Sequence, residues 1–145
     1  MKIYPLALTL ALAAAMVAAR LFAPVHGFLL PSLSVPGALL MAVGMVLVLW
    51  SAGLFRRRKT TLNPVGEPTA LTTEGLYRLS RNPMYVGMLL GLLGLALFLG
   101  DAWCLLAPAF FAAVTARQIR REEIVLEKIF GEAYRNYRVR VRRWL

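Results

Sequence analysis

The chain has 145 residues, of which 59% are hydrophobic, and its mean hydropathy is +0.64. Its long uncharged apolar stretches are too hydrophobic for a water-exposed surface, which excludes a soluble globular protein and indicates an all-α integral membrane protein. The formal net charge of +10 does not indicate nucleic acid binding, because the basic residues cluster between and after the apolar runs, where they favour anionic lipid.

Four apolar runs divide the chain, and we interpret each as a membrane-spanning helix. They extend from roughly Tyr4 to Phe22, Pro36 to Phe55, Met84 to Leu99 and Ala102 to about Ala116. The first run follows Lys2 and resembles a secretory signal peptide, but it is longer than a signal core of roughly 7–15 residues. We therefore predict that it is retained as a span.

Turn-forming residues separate the runs. Pro24 to Pro36 is a predicted loop that contains His26, the only histidine, and a lone loop histidine is more often solvated than a ligand. Thr60 to Thr73 is a second predicted loop. With Cys104 as the only cysteine, the sequence indicates neither an internal disulfide bond nor a metal site.

The third and fourth runs are separated only by Gly100-Asp101, which predicts an antiparallel helical hairpin. Gly87, Gly91 and Gly94 recur on one side of the third run. This spacing predicts close approach of a neighbouring backbone, with a narrow cofactor or lipid slot as the alternative.

The positions of Lys and Arg predict the orientation of the spans. If both termini and the loop between the second and third spans are cytoplasmic, Arg20 is the only Lys or Arg residue on the other side. Because cytoplasmic loops carry an excess of basic residues, we predict four spans with both termini inside. The block Arg56-Arg57-Arg58-Lys59 would then end the second span at the cytoplasmic headgroups.

The start of the third run is the most polar junction. Asn82 before Pro83 is typical of a helix start, where the asparagine side chain accepts a first-turn N–H and proline lacks the donor that would go unpaired. Arg81, Asn82 and Tyr85 would thus surround a helix N-terminus, which favours an anion. Tyr77, upstream, is interpreted as an interfacial anchor.

The only paired carboxylates are Glu122 and Glu123, on a continuation of the fourth helix past the membrane. Glu122 lies three residues after Ile119 and shares its apolar face, so burial would be costly without a partner. Glu123 is predicted on a more polar side, in a surface ion pair with Arg120. Glu122 is therefore the better site candidate.

The C-terminal tail alternates aromatic and basic residues, including Tyr134, Tyr137 and Trp144 between arginines. Such a pattern can bind nucleic acid. Directly after a membrane helix, it more strongly favours anchoring to anionic lipid.

Four motifs together resemble one known family. They are Gly75-Leu76-Tyr77, Arg81-Asn82-Pro83-Met84-Tyr85-Val86-Gly87, Glu122-Glu123-x-x-Leu126 and Phe130-Gly131-x-x-Tyr134-x-x-Tyr137-x-x-x-Val141. Their order and spacing, over about the last half of the chain, are similar to the isoprenylcysteine carboxyl methyltransferases and their phospholipid methyltransferase relatives. The resemblance implies S-adenosylmethionine as methyl donor, bound on the cytoplasmic side, and a lipidic or prenylated acceptor that enters from the bilayer.

The resemblance also implies roles for individual residues. By position, the cofactor pocket would be lined by Tyr77, Asn82, Pro83, Tyr85 and Glu122. Arg81 and Glu123, which adjoin these residues in the chain, are also predicted to bind the cofactor. Tyr85 and Glu122 are the predicted catalytic residues. Residues 1–145 would form one domain, in which residues 1–59 are two scaffold spans and residues 60–145 the cofactor-binding half.

Two positions depart from the family pattern. Asn82 replaces the usual histidine and can only hydrogen-bond, and Gln118 replaces an arginine that meets the substrate carboxylate in prenylcysteine enzymes. A carboxylate or thiol acceptor is favoured over a phospholipid amine, because an amine must first lose a proton to a base. The alternatives are an NADPH-dependent sterol-type reductase and a non-catalytic lipid-binding membrane protein.

Overall fold

The computed structural model describes residues 4–22, 33–57 and 71–145, with the side chains of 55–57 left out. Its helices are α1 (Pro5–Phe22), α2 (Ser34–Arg57), α3 (Pro83–Leu99) and α4 (Leu106–Arg140), with 3₁₀ turns at Gly75–Arg78 and Ala102–Leu105. No strand occurs in these described ranges, which agrees with the all-α prediction. His26, Arg58, Lys59 and most of the two predicted loops lie outside them.

Three helical segments are long and apolar enough to cross a membrane: Pro5–Phe22, Ser34–Leu54 and Ala102–Arg140. The remaining apolar helix, α3, has 17 residues. At about 1.5 Å per residue it is roughly 26 Å long, slightly less than a hydrocarbon core of about 30 Å. The structure thus contains three to four candidate spans, and the orientation of the termini stays a prediction.

Helices α2 and α3 pack against each other more extensively than any other pair, and glycines line their contact. A methyl group on Gly87 would lie 2.7 Å from the carbonyl oxygen of Gly44, and one on Gly94 would lie 2.6 Å from that of Gly37. Such distances leave no room for a side chain. The predicted close backbone approach is therefore confirmed, and its partner is α2.

The predicted hairpin between α3 and α4 is present. Gly100 follows the last residue of α3 with a φ of +71°, a left-handed conformation that glycine adopts without strain. The Asp101 side chain accepts a hydrogen bond from the Trp103 N–H at 3.1 Å and so begins the 3₁₀ turn that leads into α4. The buried core beside this hairpin includes Leu92, Ala96, Cys104, Phe111 and Ile119, together with Met16 of α1.

Helix α4 continues beyond the apolar run, as far as Arg140, but it bends at Gly131. This glycine has φ +53° and ψ −121°, which interrupts the helical geometry. Across the bend, Arg138 Nη1 lies 3.4 Å from Glu127 Oε2, although eleven residues of straight helix would separate them by about 16 Å. The bend therefore turns the end of the chain back toward the start of α3.

Candidate active site

The residues that precede α3 are held by the C-terminal segment. Pro83 occupies the first turn as predicted, but the Asn82 side chain does not cap the helix. Its Nδ2 instead donates to the carbonyl oxygen of Arg143 at 2.9 Å, while its backbone N–H donates to Ser80 Oγ at 3.1 Å. The capping prediction was wrong because a distant carbonyl competes for the amide of Asn82.

Tyr85 and Glu122 meet between α3 and α4. The Tyr85 hydroxyl donates to Glu122 Oε1 at 2.8 Å, and Gln118 Nε2 donates to the same oxygen at 3.0 Å. Glu122 is half-buried, whereas Tyr85 and Gln118 are buried. Hydrogen bonds to an ionised acceptor are the stronger kind, so these two donors offset part of the cost of burying the carboxylate. They also fix the direction in which its second oxygen points.

Glu123 does not form the predicted surface ion pair with Arg120. It is buried, and its Oε1 lies 3.1 Å from Arg81 Nη1. Arg143 donates to both of its oxygens, from Nε at 3.1 Å and from Nη2 at 2.6 Å. Arg120 is exposed. The prediction failed because it weighed only neighbours on the same helix, whereas the returning C-terminal segment covers the Glu123 side of α4.

Arg81 is enclosed by this cluster, with only 9% of its side chain exposed. Its Nη1 also donates to the Tyr134 hydroxyl at 3.5 Å. Within the described residues, Arg81 Nε is buried without a hydrogen-bond partner. An unsatisfied buried donor is costly, and it fits an anionic group that binds beside it.

The Glu123 carboxylate lies between two positively charged side chains, those of Arg81 and Arg143. The hydrogen bonds and negative charge of Glu123 raise the pKa of the Arg143 guanidinium, so it stays protonated. The single negative charge of Glu123 is thus paired with two positive charges. Glu122, by contrast, is bonded to two neutral donors, so the two adjacent glutamates have different electrostatic surroundings.

Tyr77 is buried inside the protein and is not an interfacial anchor. It is 6% exposed, and its carbonyl oxygen accepts a hydrogen bond from the Tyr137 hydroxyl at 2.7 Å. Burial raises the pKa of the Tyr77 phenol, which keeps it neutral. Tyr137 in turn packs edge-on against Tyr134, with ring centroids 6.2 Å apart.

The tail aromatics therefore differ from the lipid anchors that the sequence predicted. Tyr134 is 1% exposed and Tyr137 is 8% exposed. Trp144 packs against the helical core. These side chains attach the end of the chain to the protein, and the prediction of lipid contact was wrong for the two buried tyrosines, Tyr134 and Tyr137.

The structure brings most of the predicted site residues together in two contacts. Tyr85 meets Glu122, and Arg81 meets Glu123, while Asn82 and Tyr77 join the site through the C-terminal segment. The sequence analysis named Gln118 only as a departure from the family pattern, not as a partner of Glu122, and it did not assign Arg143 to the site. Gln118 lies four residues before Glu122, a spacing that signals contact on a helix. No comparable local signal existed for Arg143, because it follows the bend at Gly131.

Comparisons with known proteins address the same region. The sequence profile of the family described as phospholipid methyltransferase matches residues 33–133. An uncharacterized protein of Haemophilus influenzae is 46% identical over 63 residues, which are 43% of this chain and 100% of that protein. The protein-S-isoprenylcysteine O-methyltransferase of Schizosaccharomyces pombe is 33% identical over 75 residues, which are 49% of this chain and 30% of the yeast enzyme. No solved structure matches the chain significantly.

The family match spans α2, α3 and most of α4. It includes both contacts of the site, Tyr85 with Glu122 and Arg81 with Glu123, and it ends before Tyr134. Taken with the apolar helices, the match identifies a membrane methyltransferase: the chain belongs to the phospholipid methyltransferase family.

Proposed function

We propose that the protein transfers a methyl group from S-adenosylmethionine to a lipidic acceptor at the membrane surface. The observation that carries this proposal is the hydrogen bond of the Tyr85 hydroxyl to Glu122, directly beside the Arg81–Glu123 ion pair. It places a half-buried carboxylate and a buried guanidinium at one end of the apolar helices. A donor with both positive and negative groups fits such a pair of opposite charges.

The residues of the site suit the charges of this cofactor. Among the described residues, Glu122 Oε1 accepts both hydrogen bonds, so Oε2 is available to the cofactor ammonium or a ribose hydroxyl. The free N–H at Arg81 Nε is suited to the cofactor carboxylate. When bound, the cofactor would supply an electrophilic methyl group on a sulfonium.

The other predicted residues would shape the pocket. Asn82 and Pro83 set the path of the backbone into α3. The Tyr77 carbonyl oxygen, bonded to the Tyr137 hydroxyl, fixes the backbone that leads to it. Glu123 would act through Arg81, whose guanidinium it holds. Methyl transfer is an in-line displacement, so this fixed geometry would contribute through positioning.

The chemistry of methyl transfer also bears on the acceptor. An amine acceptor would first have to lose a proton to a base. A carboxylate or thiolate acceptor needs no such base. We therefore propose an anionic acceptor with a hydrocarbon tail, prenylcysteine-like compounds included, ahead of a phospholipid amine.

We further propose that this site lies on the cytoplasmic side of an integral membrane protein. Because α2 and α3 pair through Gly37 with Gly94 and Gly44 with Gly87, the last residues of α2 lie at the same end as the first residues of α3. Arg56 and Arg57, the last two residues of α2, are therefore at the site's end of the protein. The excess of basic residues at that end supports a cytoplasmic location.

Equilibrium binding to detergent-purified protein tests the proposal. We expect saturable binding of labelled S-adenosylmethionine, no comparable binding of NADPH, and a loss of at least about tenfold in affinity for Glu122→Ala. Glu127→Ala is the matched control, because Glu127 lies on the same helix in an exposed ion pair. Absence of saturable binding, or equal affinity of Glu122→Ala and the parent, would refute the proposal. Preferential NADPH binding would support a reductase instead.

A second experiment identifies the acceptor. Membranes that contain the protein are incubated with methyl-labelled donor, and the labelled lipid is identified by mass. A base-labile methyl ester or a thioether is expected. A labelled headgroup amine would contradict the proposed acceptor class but not methyl transfer itself.

A further inference from the structure

The last residues of the chain lie across the start of α3. The carbonyl oxygen of Arg142 accepts a hydrogen bond from the Arg81 N–H at 2.9 Å. The carbonyl oxygen of Arg143 accepts hydrogen bonds from Asn82 Nδ2 at 2.9 Å and from Ser80 Oγ at 3.4 Å. Two consecutive carbonyl groups therefore hold three consecutive residues that lead into the site.

The side chain of Arg143 fixes this segment to α4. Its Nε and Nη2 donate to the two oxygens of Glu123, at 3.1 and 2.6 Å. This two-point contact uses the planar fork of a guanidinium, which a lysine ammonium cannot reproduce. Arg143 thus joins Glu123 through its side chain and Asn82 through its backbone.

Arg143 differs in this respect from the other basic residues of the tail. Arg135, Arg140 and Arg142 have exposed side chains, and Arg138 forms only an exposed pair with Glu127. These four side chains are available to solvent or lipid headgroups. The half-buried Arg143 side chain instead binds the buried carboxylate of Glu123.

We propose that Arg143 is a positioning residue for the cofactor site. Its ion pair with Glu123 holds the C-terminal segment in place, and that segment orients the Asn82 amide and the backbone of Arg81. Without the ion pair, the carbonyl groups at 142 and 143 lose their anchor, and Glu123 keeps Arg81 as its remaining partner. This inference rests on the proposed function, because it concerns how well S-adenosylmethionine binds.

The test compares Arg143→Gln with Arg142→Gln. Both variants remove one positive charge from the same segment, but only Arg143 uses its side chain to bind Glu123. Trp50→Phe and Trp103→Phe are introduced in every sample, so that Trp144, which packs against the core, is the only tryptophan. Each protein is titrated with labelled S-adenosylmethionine, and the emission maximum of Trp144 is recorded.

We expect Arg143→Gln to weaken cofactor binding by about tenfold and to shift Trp144 emission to longer wavelength, as the segment detaches. Arg142→Gln is expected to bind within about twofold of the parent, with unchanged emission. Arg143→Lys, which keeps the charge but not the fork, is expected to fall between them. If Arg143→Gln does not fold, Arg143→Lys is compared with Arg142→Gln in its place.

The outcomes separate this inference from the proposed function. Equal affinity and equal emission in Arg143→Gln and Arg142→Gln would overturn the positioning role and leave the proposed function intact. A parent protein that binds no S-adenosylmethionine would overturn the proposed function and, with it, the role of Arg143. A loss of affinity without any change in Trp144 emission would also contradict the proposal, because the segment would still be docked.

Discussion

The Tyr85 hydroxyl lies 2.8 Å from Glu122 Oε1 and joins the first turn of α3 to the middle of α4. Although 37 residues separate them in the chain, the hairpin at Gly100 brings these two helices together in opposite directions. This contact is the centre of the candidate site, and the predictions below follow from it and from the packing that supports it.

Replacing Tyr85 by phenylalanine should weaken cofactor binding without creating a cavity in the site. The variant removes the hydroxyl donor and leaves the ring in place, so Glu122 keeps Gln118 as its donor. We expect about a fivefold loss of S-adenosylmethionine affinity, which corresponds to about 1 kcal/mol for one hydrogen bond. Equilibrium binding measures this loss. Tyr4→Phe is the control, because Tyr4 is exposed before α1; equal effects of the two variants would contradict the role of Tyr85.

Changing Gln118 to glutamate should make stability depend on pH. The new carboxylate would face Glu122 at the position where an amide now donates at 3.0 Å. Two carboxylates in such contact cannot both ionise easily, so one pKa rises. The folded state then binds an extra proton, and stability falls as pH increases through that raised pKa. We expect a lower thermal midpoint at neutral pH that partly recovers near pH 5.

The matched control for this variant is Asn136→Glu. Asn136 is exposed on the segment after the bend, so the same change from amide to carboxylate should leave the thermal midpoint nearly constant over the same pH range. A pH dependence of equal size in both variants would show that the Gln118–Glu122 contact is not its source.

The glycine contact between α2 and α3 can be tested by comparing two glycines of one helix. Alanine at 87 would place a methyl group 2.7 Å from the Gly44 carbonyl oxygen, whereas alanine at 91 would meet no atom within 4 Å. We expect Gly87→Ala to lose about 1–3 kcal/mol through overpacking. Gly91→Ala should be neutral or slightly stabilising, because alanine favours helix. Thermal unfolding in detergent distinguishes them, and a larger loss for Gly91→Ala would refute the assigned contact.

The bend at Gly131 should resist substitution for a different reason. Alanine there meets no steric neighbour within 4 Å, but φ +53° with ψ −121° is strained for any side chain. We expect Gly131→Ala to cost about 1–3 kcal/mol. It should also expose the C-terminal segment to protease. Limited proteolysis measures this effect, with Gly91→Ala as control; equal protection of the two variants would contradict a requirement for the bend.

The elements that the sequence predicted well are those governed by local chemistry. Apolar runs define α1, α2 and α3, since a helix satisfies its own backbone hydrogen bonds in an apolar environment. Gly100 and Asp101 define the hairpin through the left-handed conformation of one and the turn-capping side chain of the other. The motif around Tyr85 and Glu122 pointed to residues that do make contact.

The errors share one origin. Asn82, Glu123, Tyr134 and Tyr137 were interpreted from neighbours a few residues away, yet each has its decisive partner far along the chain. A polar group takes the partner that folding brings closest once water is excluded. Spacing within one helix contains no information about that partner.

The sequence by itself determined that this protein is helical and membrane-embedded, where its apolar helices lie and where α3 ends in a turn, and which family motif it carries. Hydrophobicity, proline and glycine act over a few residues, and for that reason they can be read directly from the chain. The tertiary structure alone decided that Gly131 turns the C-terminal segment back, that Arg143 binds Glu123, and that the two adjacent glutamates have different partners. These outcomes depend on the three-dimensional path of the backbone, which sets the partner available to each buried charge.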